Sequence, residues 1–540
     1  LSLGEETFFK YVPYKNSRKP HSREFTPMRI GIDVGGTNTD AVLMSGRTVK
    51  GWAKSPTTPD VSSGIINALT ALLAQTKVAP EAISAVMLGT THFTNAVVER
   101  KSLSRTAVVR IGLPATAALR PFIDWPKDLV EAIDGVGYLV HGGYEFDGRP
   151  IAPLNETEIR ETARQIREAG IDCIAVSGVF SPVNPDQEQT VASILAEEIP
   201  GARISLSHEI GRIGLLEREN AAAMNACLAH LAERIVDSFR RSLQAIGIHA
   251  PFFISQNDGT LMSAEFVAKY PVLTFASGPT NSMRGAAFLS GLKDAVVVDI
   301  GGTTSDVGVL VNGFPREASI AVRVGGVRTN FRMPDVISFG LGGGSHVKTN
   351  PLQIGPQSVG YEITRRALVF GGGELTATDI AVAAGLADIG DRGRVSGLDP
   401  ALVNAATQRI WEMIELSIDR MKTAPGAVPV ILVGGGIILV GDKLNGASEL
   451  HRPEHAAVAN AIGAAIAQVG GEVDRVFSLD AIPREQALAQ AKEEAIQRIL
   501  KEGAIPETAE IVDVEEIPLA YLPGNATRIR VKAVGSLAFD

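Results

Sequence analysis

One phrase occurs twice in the chain: a run of apolar residues, an acid, two glycines, then hydroxyls and a second acid. The first copy is RIGIDVGGTNTDAVLM, 29–44, and the second is VVVDIGGTTSDVGVL, 296–310. Asp33, Gly35, Gly36, Thr37, Thr39 and Asp40 match Asp299, Gly301, Gly302, Thr303, Ser305 and Asp306, 266 residues later. A strand that breaks at paired glycines makes a tight hairpin whose backbone can approach a ligand closely. Its N–H groups and hydroxyls then face one small volume, which suits phosphate oxygens. An acid at the strand end repels a bare phosphate, so a divalent cation between the two is expected. Each copy therefore reads as one jaw of a phosphate–metal clamp. Asp33, Asp299 and Asp306 are the candidate metal-organising acids. Gly35, Gly36, Thr37, Asn38 and Thr39, with Gly301, Gly302, Thr303, Thr304 and Ser305, are the candidate phosphate donors. A plain glycine hairpin explains one copy well and two matched copies poorly.

Other stretches add chemistry around the clamp. ILVGGG, 431–436, is an apolar strand that breaks at Gly434, Gly435 and Gly436, where backbone can lie against a flat ring or a ribose. FGLGGGSH, 339–346, offers Gly343, Gly344 and Ser345 to a phosphate or to the nucleotide face. Gly89, Thr90, Thr91 and Asn95 stand where a strand meets a helix, and a helix start presents N–H groups to an anion or a carbonyl; a simple threonine cap is the alternative. His92 follows as a candidate metal ligand or proton carrier. Asn257 and Asp258 end a strand, with Ser277 and Gly278 soon after. Open α/β sheets place substrates at such strand ends. Thr91, His92 and Asp258 join Asp33 and Asp299 as candidate catalytic groups. Gly89, Thr90, Asn95, Asn257, Ser277 and Gly278 are candidate substrate contacts. Glu217, Arg218 and Asn225 share one helix, where surface ion pairing is an equal alternative.

The elements that must position these groups alternate strand and helix, which argues α/β with central sheets. Helical spacing covers Val61–Leu73, Glu158–Ala169 and a long stretch Leu215–Leu243. Buried strands are expected at 85–90 and 173–180, and 252–259 is expected to be a strand ending in a polar turn. ANAIGAAIA, 459–467, is a helix of small residues that lets another helix approach, as at a hinge. Residues 475–535 change to a strand, a helix at Arg484–Lys501 and two more strands, a small α+β appendage. Of 540 residues, 45% are hydrophobic and 21% charged, so a large core in two or three domains is affordable. The net charge of −9 argues against a nucleic-acid binder. Two cysteines, Cys173 and Cys227, are too few for a disulfide framework or a zinc cluster and read as core in a reducing compartment. The longest apolar run, 428–440, is too short to span a bilayer. A cytoplasmic location with no membrane partner is expected. Residues 1–27 are polar and lack a secretory signal. They read as an extension or a tag remnant, with an organelle-targeting leader as the other choice.

The order hairpin, helix, hairpin, glycine-rich turn, small-residue helix resembles the actin, sugar-kinase and chaperone ATPase superfamily. Within it, the chain resembles the hydantoinase A and 5-oxoprolinase family through GIDVGGTNTD (31–40), GTTHFTNAVVER (89–100), SHEIG (207–211), LLEREN with Asn225, SQNDGTLMSAE (255–265), SGPTNSMRGA (277–286), DIGGTTSDVG (299–308) and SFGLGGGS (338–345). These motifs are spread over nearly all of 28–470. His92, Phe93 and Asn38 depart from common family residues, and longer members of the family continue beyond this chain's end; both points suggest a short subgroup.

The resemblance implies two actin-like, ribonuclease H-like lobes with ATP and Mg2+ in the cleft between them. The first lobe would span 28–290, completed by about 455–470, and the second 291–454, followed by the appendage at 471–540. It implies an ATP-dependent hydrolase that opens a cyclic amide: a hydantoin, 5-oxoproline or a related lactam. Phosphorylating the amide oxygen would make the carbonyl electrophilic enough for water. A hydantoinase B-like companion chain is the expected partner, and a homo-oligomer is left open. Three alternatives stand beside this: a small-molecule kinase, a nucleotide-gated interaction subunit, and a subunit of an ATP-dependent carboxylase.

Overall fold

The structure, a computed structural model, describes residues 27–35, 37–57, 61–318, 321–520 and 524–538. Three principal sheets organise it. The largest has nine strands, in the order 510–518, 526–535, 468–478, 260–263, 252–255, 83–90, 28–34, 38–45 and 48–56. A six-stranded sheet is built on Ala295–Ile300, Ser305–Val311 and Val428–Val433. A four-stranded, all-parallel sheet contains Thr106–Leu113 and Cys173–Gly178 at its centre.

The repeated phrase sits at equivalent places in the two larger sheets. Met28–Val34 pairs antiparallel with Asn38–Ser45 and parallel with Ile83–Thr90. Ala295–Ile300 pairs antiparallel with Ser305–Val311 and parallel with Val428–Val433. The strands are apolar on both faces because helices cover both; Ile30, Ile32, Val296, Val297 and Val298 are all at most 2% exposed. Ile30 and Ile32 belong to the first large core, Val296 and Val298 to the second.

Two helices cross between these cores, Ser277–Ser290 and Ala459–Ala465. Their contact is backbone on backbone. A Cβ on Gly285 would lie 1.9 Å from the Ala459 carbonyl oxygen, and one on Gly463 1.9 Å from that of Asn281. The small residues of the second helix are there for this approach.

Three expectations need correction. The single helix over 215–243 is two, Leu215–Cys227 and Ala229–Ala245. The Cys227 carbonyl leaves the helical ladder to accept the Ser104 N–H at 2.7 Å, so the chain turns at Leu228. Arg218 and Asn225 are not at the surface but 0% and 2% exposed. Arg218 donates to Ser207 and to the carbonyls of Gly178 and Ile213, and Asn225 bridges Ser205 and the Lys269 carbonyl. The C-terminal segment contains the helix Arg484–Lys501, and its strands lengthen the nine-stranded sheet rather than standing apart: Gln468–Ser478 pairs with Thr260–Ser263. Among the described residues, no helix is long and apolar enough to cross a membrane.

Candidate active site: two facing hairpins

The two glycine turns close in the same way. Gly35 N–H donates to the Asn38 carbonyl at 3.0 Å, and Gly301 N–H to that of Thr304 at 2.9 Å. In the register, Asp33 stands opposite Asp40 and Asp299 opposite Asp306. The tips then meet, with 3.3 Å between the Thr37 and Thr303 hydroxyl oxygens. Gly36 lies outside the described residues.

Each strand-end acid lies over a glycine of the parallel neighbour strand or its exit. A Cβ on Gly89 would come 2.6 Å from Asp33 Oδ1, and one on Gly434 2.3 Å from Asp299 Oδ1. Gly434 also has φ +89°, a backbone conformation side chains rarely adopt. The crossing helices steady the acids. Asn460 donates to Asp33 Oδ2 at 2.8 Å, and the Ser282 hydroxyl donates to Asp299 Oδ2.

Four carboxylates crowd this floor, and among the described residues the one cation paired with them is Lys54, 2.7 Å from Asp40. Burial, then the charges of Asp40 and Asp299, push the Asp33 carboxyl up to about 7, against the pull of Asn460 and Lys54. Burial also raises Asp40 and Asp299. Burial pushes Asp306 up to about 6, while its hydrogen bond from Ser338 opposes the rise. Among the described residues, Asp33 Oδ1 and Asp40 Oδ1 are buried with no hydrogen-bond partner, as are both amide atoms of Asn281 beside Asp33 and Gly89. Buried polar groups are seldom left so. Unbalanced negative charge with free carboxylate oxygens fits a divalent cation. Asp33 and Asp299, with Asp306 behind, would hold it and its waters.

Other candidates have different surroundings. The Gly343 and Gly344 N–H groups donate to the Gly301 and Gly302 carbonyls, at 3.0 and 2.8 Å. The Ser345 hydroxyl accepts from Gly342 N–H, and Ser305 donates to the Leu341 carbonyl. These groups brace the second hairpin, so the Gly343, Gly344 and Ser305 donors are not free for a phosphate. Gly436 packs on Ile300 and the Gly301 carbonyl, whereas a side chain at Gly435 would meet nothing within 4 Å. Thr39 is fully buried in its strand, and Thr304 supplies the carbonyl that closes its turn.

On the first sheet, Thr90 exchanges hydrogen bonds with Ser277. Its hydroxyl also contacts His92 Nδ1. Burial lowers His92 to about 4, so its ring is neutral at pH 7 and a poor proton carrier there. Thr91 precedes the helix His92–Glu99 without a side-chain cap, contacts Asn95 at 3.5 Å, and lies near Gly278. Asn257 is spent on the backbone of Val272 and Ala276. Asp258 is held by Lys532 at 2.9 Å and by both the N–H and the hydroxyl of Thr260. Although burial opposes it, Lys532 and these bonds keep its carboxyl well below the usual range. That argues against the expected catalytic role of Asp258, because both its oxygens are occupied and its affinity for a proton is low. Asp258 lines a separate cavity of about 780 Å³ with Arg212, Arg332 and Glu472.

Lys54, Asn281, Ser282, Asn460 and Ser338 were not singled out in the sequence. Asn281 had a signal: it lies four residues after Ser277, on the same face of one helix. Asn460 and Lys54 had none, since long-range folding alone brings them to the acids.

With this geometry established, comparison with known proteins places the chain. Residues 29–199 match the hydantoinase/oxoprolinase N-terminal region, and residues 218–391 match the hydantoinase/oxoprolinase family model. The chain belongs to the hydantoinase/oxoprolinase family. It is 30% identical over 401 residues to the acetophenone carboxylase gamma subunit of Aromatoleum aromaticum, covering 66% of this chain and 53% of that protein. It is 26% identical over 427 residues to the caprolactamase subunit alpha of Pseudomonas jessenii, covering 73% of this chain and 60% of that protein. The chain thus spans about half to three fifths of these relatives. In fold it resembles the crystal structure of ATP-dependent caprolactamase from Pseudomonas jessenii, with a TM-score of 0.75, 20% identity, and 94% and 88% of the two chains covered. Nucleotide-free acetone carboxylase gives 0.68 at 19% identity, with 95% and 88% covered. The fold is the mixed α/β fold of actin-like ATPases.

Proposed function

We propose that this chain is the nucleotide-binding component of a multi-component enzyme that uses magnesium–ATP to open a cyclic amide. The carrying observation is the pair of facing hairpins, with Thr37 and Thr303 in contact above four crowded carboxylates. Its relatives are named as subunits of a caprolactamase and of carboxylases, which supports a companion chain. A bound magnesium ion would neutralise phosphate charge. Thr37, Thr303 and N–H groups of the turns would orient the phosphates. Asp33 and Asp299 would hold the ion and its waters, each acid fixed by one crossing helix. Positioning and charge neutralisation are the main contributions of a protein to phosphoryl transfer. An unstrained amide needs such activation because resonance makes its carbonyl a weak electrophile.

A second reading is carboxylation, in which the same clamp phosphorylates a ketone or bicarbonate for a partner. The 30% identity to a carboxylase subunit favours it. ATP turnover measured with a panel of lactams and hydantoins, and with ketone plus bicarbonate, each with and without a candidate companion chain, tests both. Lactam-stimulated turnover with a ring-opened product supports the first. Carboxylated product supports the second, and release of a stable phosphorylated substrate would replace both with a kinase.

A further inference from the structure

We infer that Asp172, Cys173 and His230 form a binding site for one zinc-like divalent ion, away from the hairpins. One ligand atom from each lies within 4.8 Å of the others. The His230 Nε2 is 3.1 Å from Asp172 Oδ1, and the Cys173 Sγ is 3.5 Å from the same oxygen. Zinc bonds to nitrogen, oxygen and sulfur of about 2.0–2.3 Å put tetrahedral ligand atoms roughly 3.3–3.7 Å apart. The sulfur–oxygen separation of 3.5 Å falls in that range, and the nitrogen–oxygen contact of 3.1 Å needs to open by only a few tenths of an ångström. A thiol, an imidazole and a carboxylate form a donor set that suits zinc or cobalt and not magnesium.

The surroundings hold the carboxylate in place. Arg203 donates to Asp172 Oδ2 at 3.0 Å, and its own N–H reaches the Asp172 carbonyl at 2.7 Å. Glu233 clamps the Arg203 guanidinium from the other side through two bonds of 2.8 Å. Arg203 thus anchors Oδ2, which His230 Nε2 also approaches at 2.9 Å, and Oδ1 faces both Cys173 and His230; Arg203 fixes the carboxylate the way an outer partner orients a metal-binding one. Cys173 opens the strand Cys173–Gly178, and His230 is the second residue of the helix Ala229–Ala245. An ion here would tie the start of that strand to the start of that helix. Cys173 is fully buried, but the side chains of Asp172 and His230 are 44% and 35% exposed, so the ion has a path in and a water can take the fourth position. Binding exchanges the thiol proton, released to solvent, for a sulfur–metal bond, and no redox change occurs. Two cysteines are too few for an all-cysteine site, but this mixed set needs only one.

Cobalt titration of the chelator-stripped full chain tests the assignment. The expected result is a sulfur-to-cobalt band in the near ultraviolet, with visible bands of four-coordinate cobalt, saturating at one equivalent. Cys173→Ser should abolish the near-ultraviolet band with the far-ultraviolet circular dichroism unchanged. His230→Ala, at a half-exposed position that tolerates truncation, should weaken cobalt binding at least about tenfold, and Arg203→Gln by about tenfold. ATP turnover should stay at its basal rate in all three, since none touches the hairpins. A folded wild-type chain that gives no near-ultraviolet band at one equivalent overturns the site. So does a His230→Ala variant that titrates like wild type.

Discussion

The two hairpins share a phrase and a turn, yet the molecule treats them differently. The second is locked from outside: the Gly342–Ser345 loop is bonded to its tip, and Ser282 and Ser338 bond its acids. Among the described residues, the tip of the first is bonded by a single residue, Thr57, whose N–H donates to the Thr37 carbonyl at 3.0 Å and whose hydroxyl donates to that of Gly35 at 2.7 Å. Its acids instead depend on Asn460 and Lys54, and each keeps one buried oxygen without a partner. Closely similar local sequence therefore yields the same turn and register but unequal electrostatics. The second jaw is the more heavily braced and the first is the charge-strained one, which makes Asp33 the acid most in need of a cation.

The largest test removes one acid from each jaw. Asp299→Ala and Asp33→Ala should each lower ATP turnover on the order of 10²–10³-fold, comparable to losing one preorganised transition-state contact. Calorimetry should show weaker magnesium–ATP binding in both. If only one matters, the two jaws do not act together. A control lies off the clamp. Asp258→Asn leaves the buried Lys532 ammonium, 6% exposed, without its counter-charge and should cost about 3–5 kcal/mol of stability. Denaturant unfolding checks this, and nucleotide affinity of the folded fraction should stay near wild type.

A smaller effect concerns pH. The Asp33 carboxyl is raised to about 7 in the fold from an unfolded value of 3.8, so the folded state holds a proton that the unfolded state has released. Stability from this group is greatest below pH 4 and falls as pH rises through that interval, levelling above 7. Without divalent ions, Asp33→Asn should therefore gain on wild type between pH 5 and pH 8, on the order of 1–3 kcal/mol. Magnesium should shrink the difference. Urea titrations at the two pH values measure it, and an equal response in both proteins would show that the first jaw carries no such strain. The smallest effect belongs to the brace. Ser345→Ala strands the buried Gly342 N–H and should cost about 1–3 kcal/mol. Its nucleotide affinity should change less than Asp299→Ala changes it, because Ser345 supports the jaw without facing the ligand.

Much of this architecture was legible in the residues. Apolar runs ending in Asp-x-Gly-Gly specified two strand–turn–strand units, because glycine pairs and alternating burial act over a few residues. The helices at Val61–Thr76 and Glu156–Glu168, and the small-residue helix at Ala459–Ala465, followed from spacing in the same way. The break at Leu228 was not legible, because its cause is a hydrogen bond from Ser104, more than a hundred residues earlier.

What the sequence determined by itself was the duplicated hairpin and its four acids. What only the tertiary structure decided was which of their atoms are free. Asn460 reaches Asp33 across 427 residues of chain and Thr37 meets Thr303 across 266. Asp258 carries the same carboxylate but is closed by Lys532, 274 residues away along the chain. A carboxylate's availability depends on burial, neighbouring charge and competing donors, and each of these is set by what folding brings within a few ångströms, not by the residues beside it in the chain.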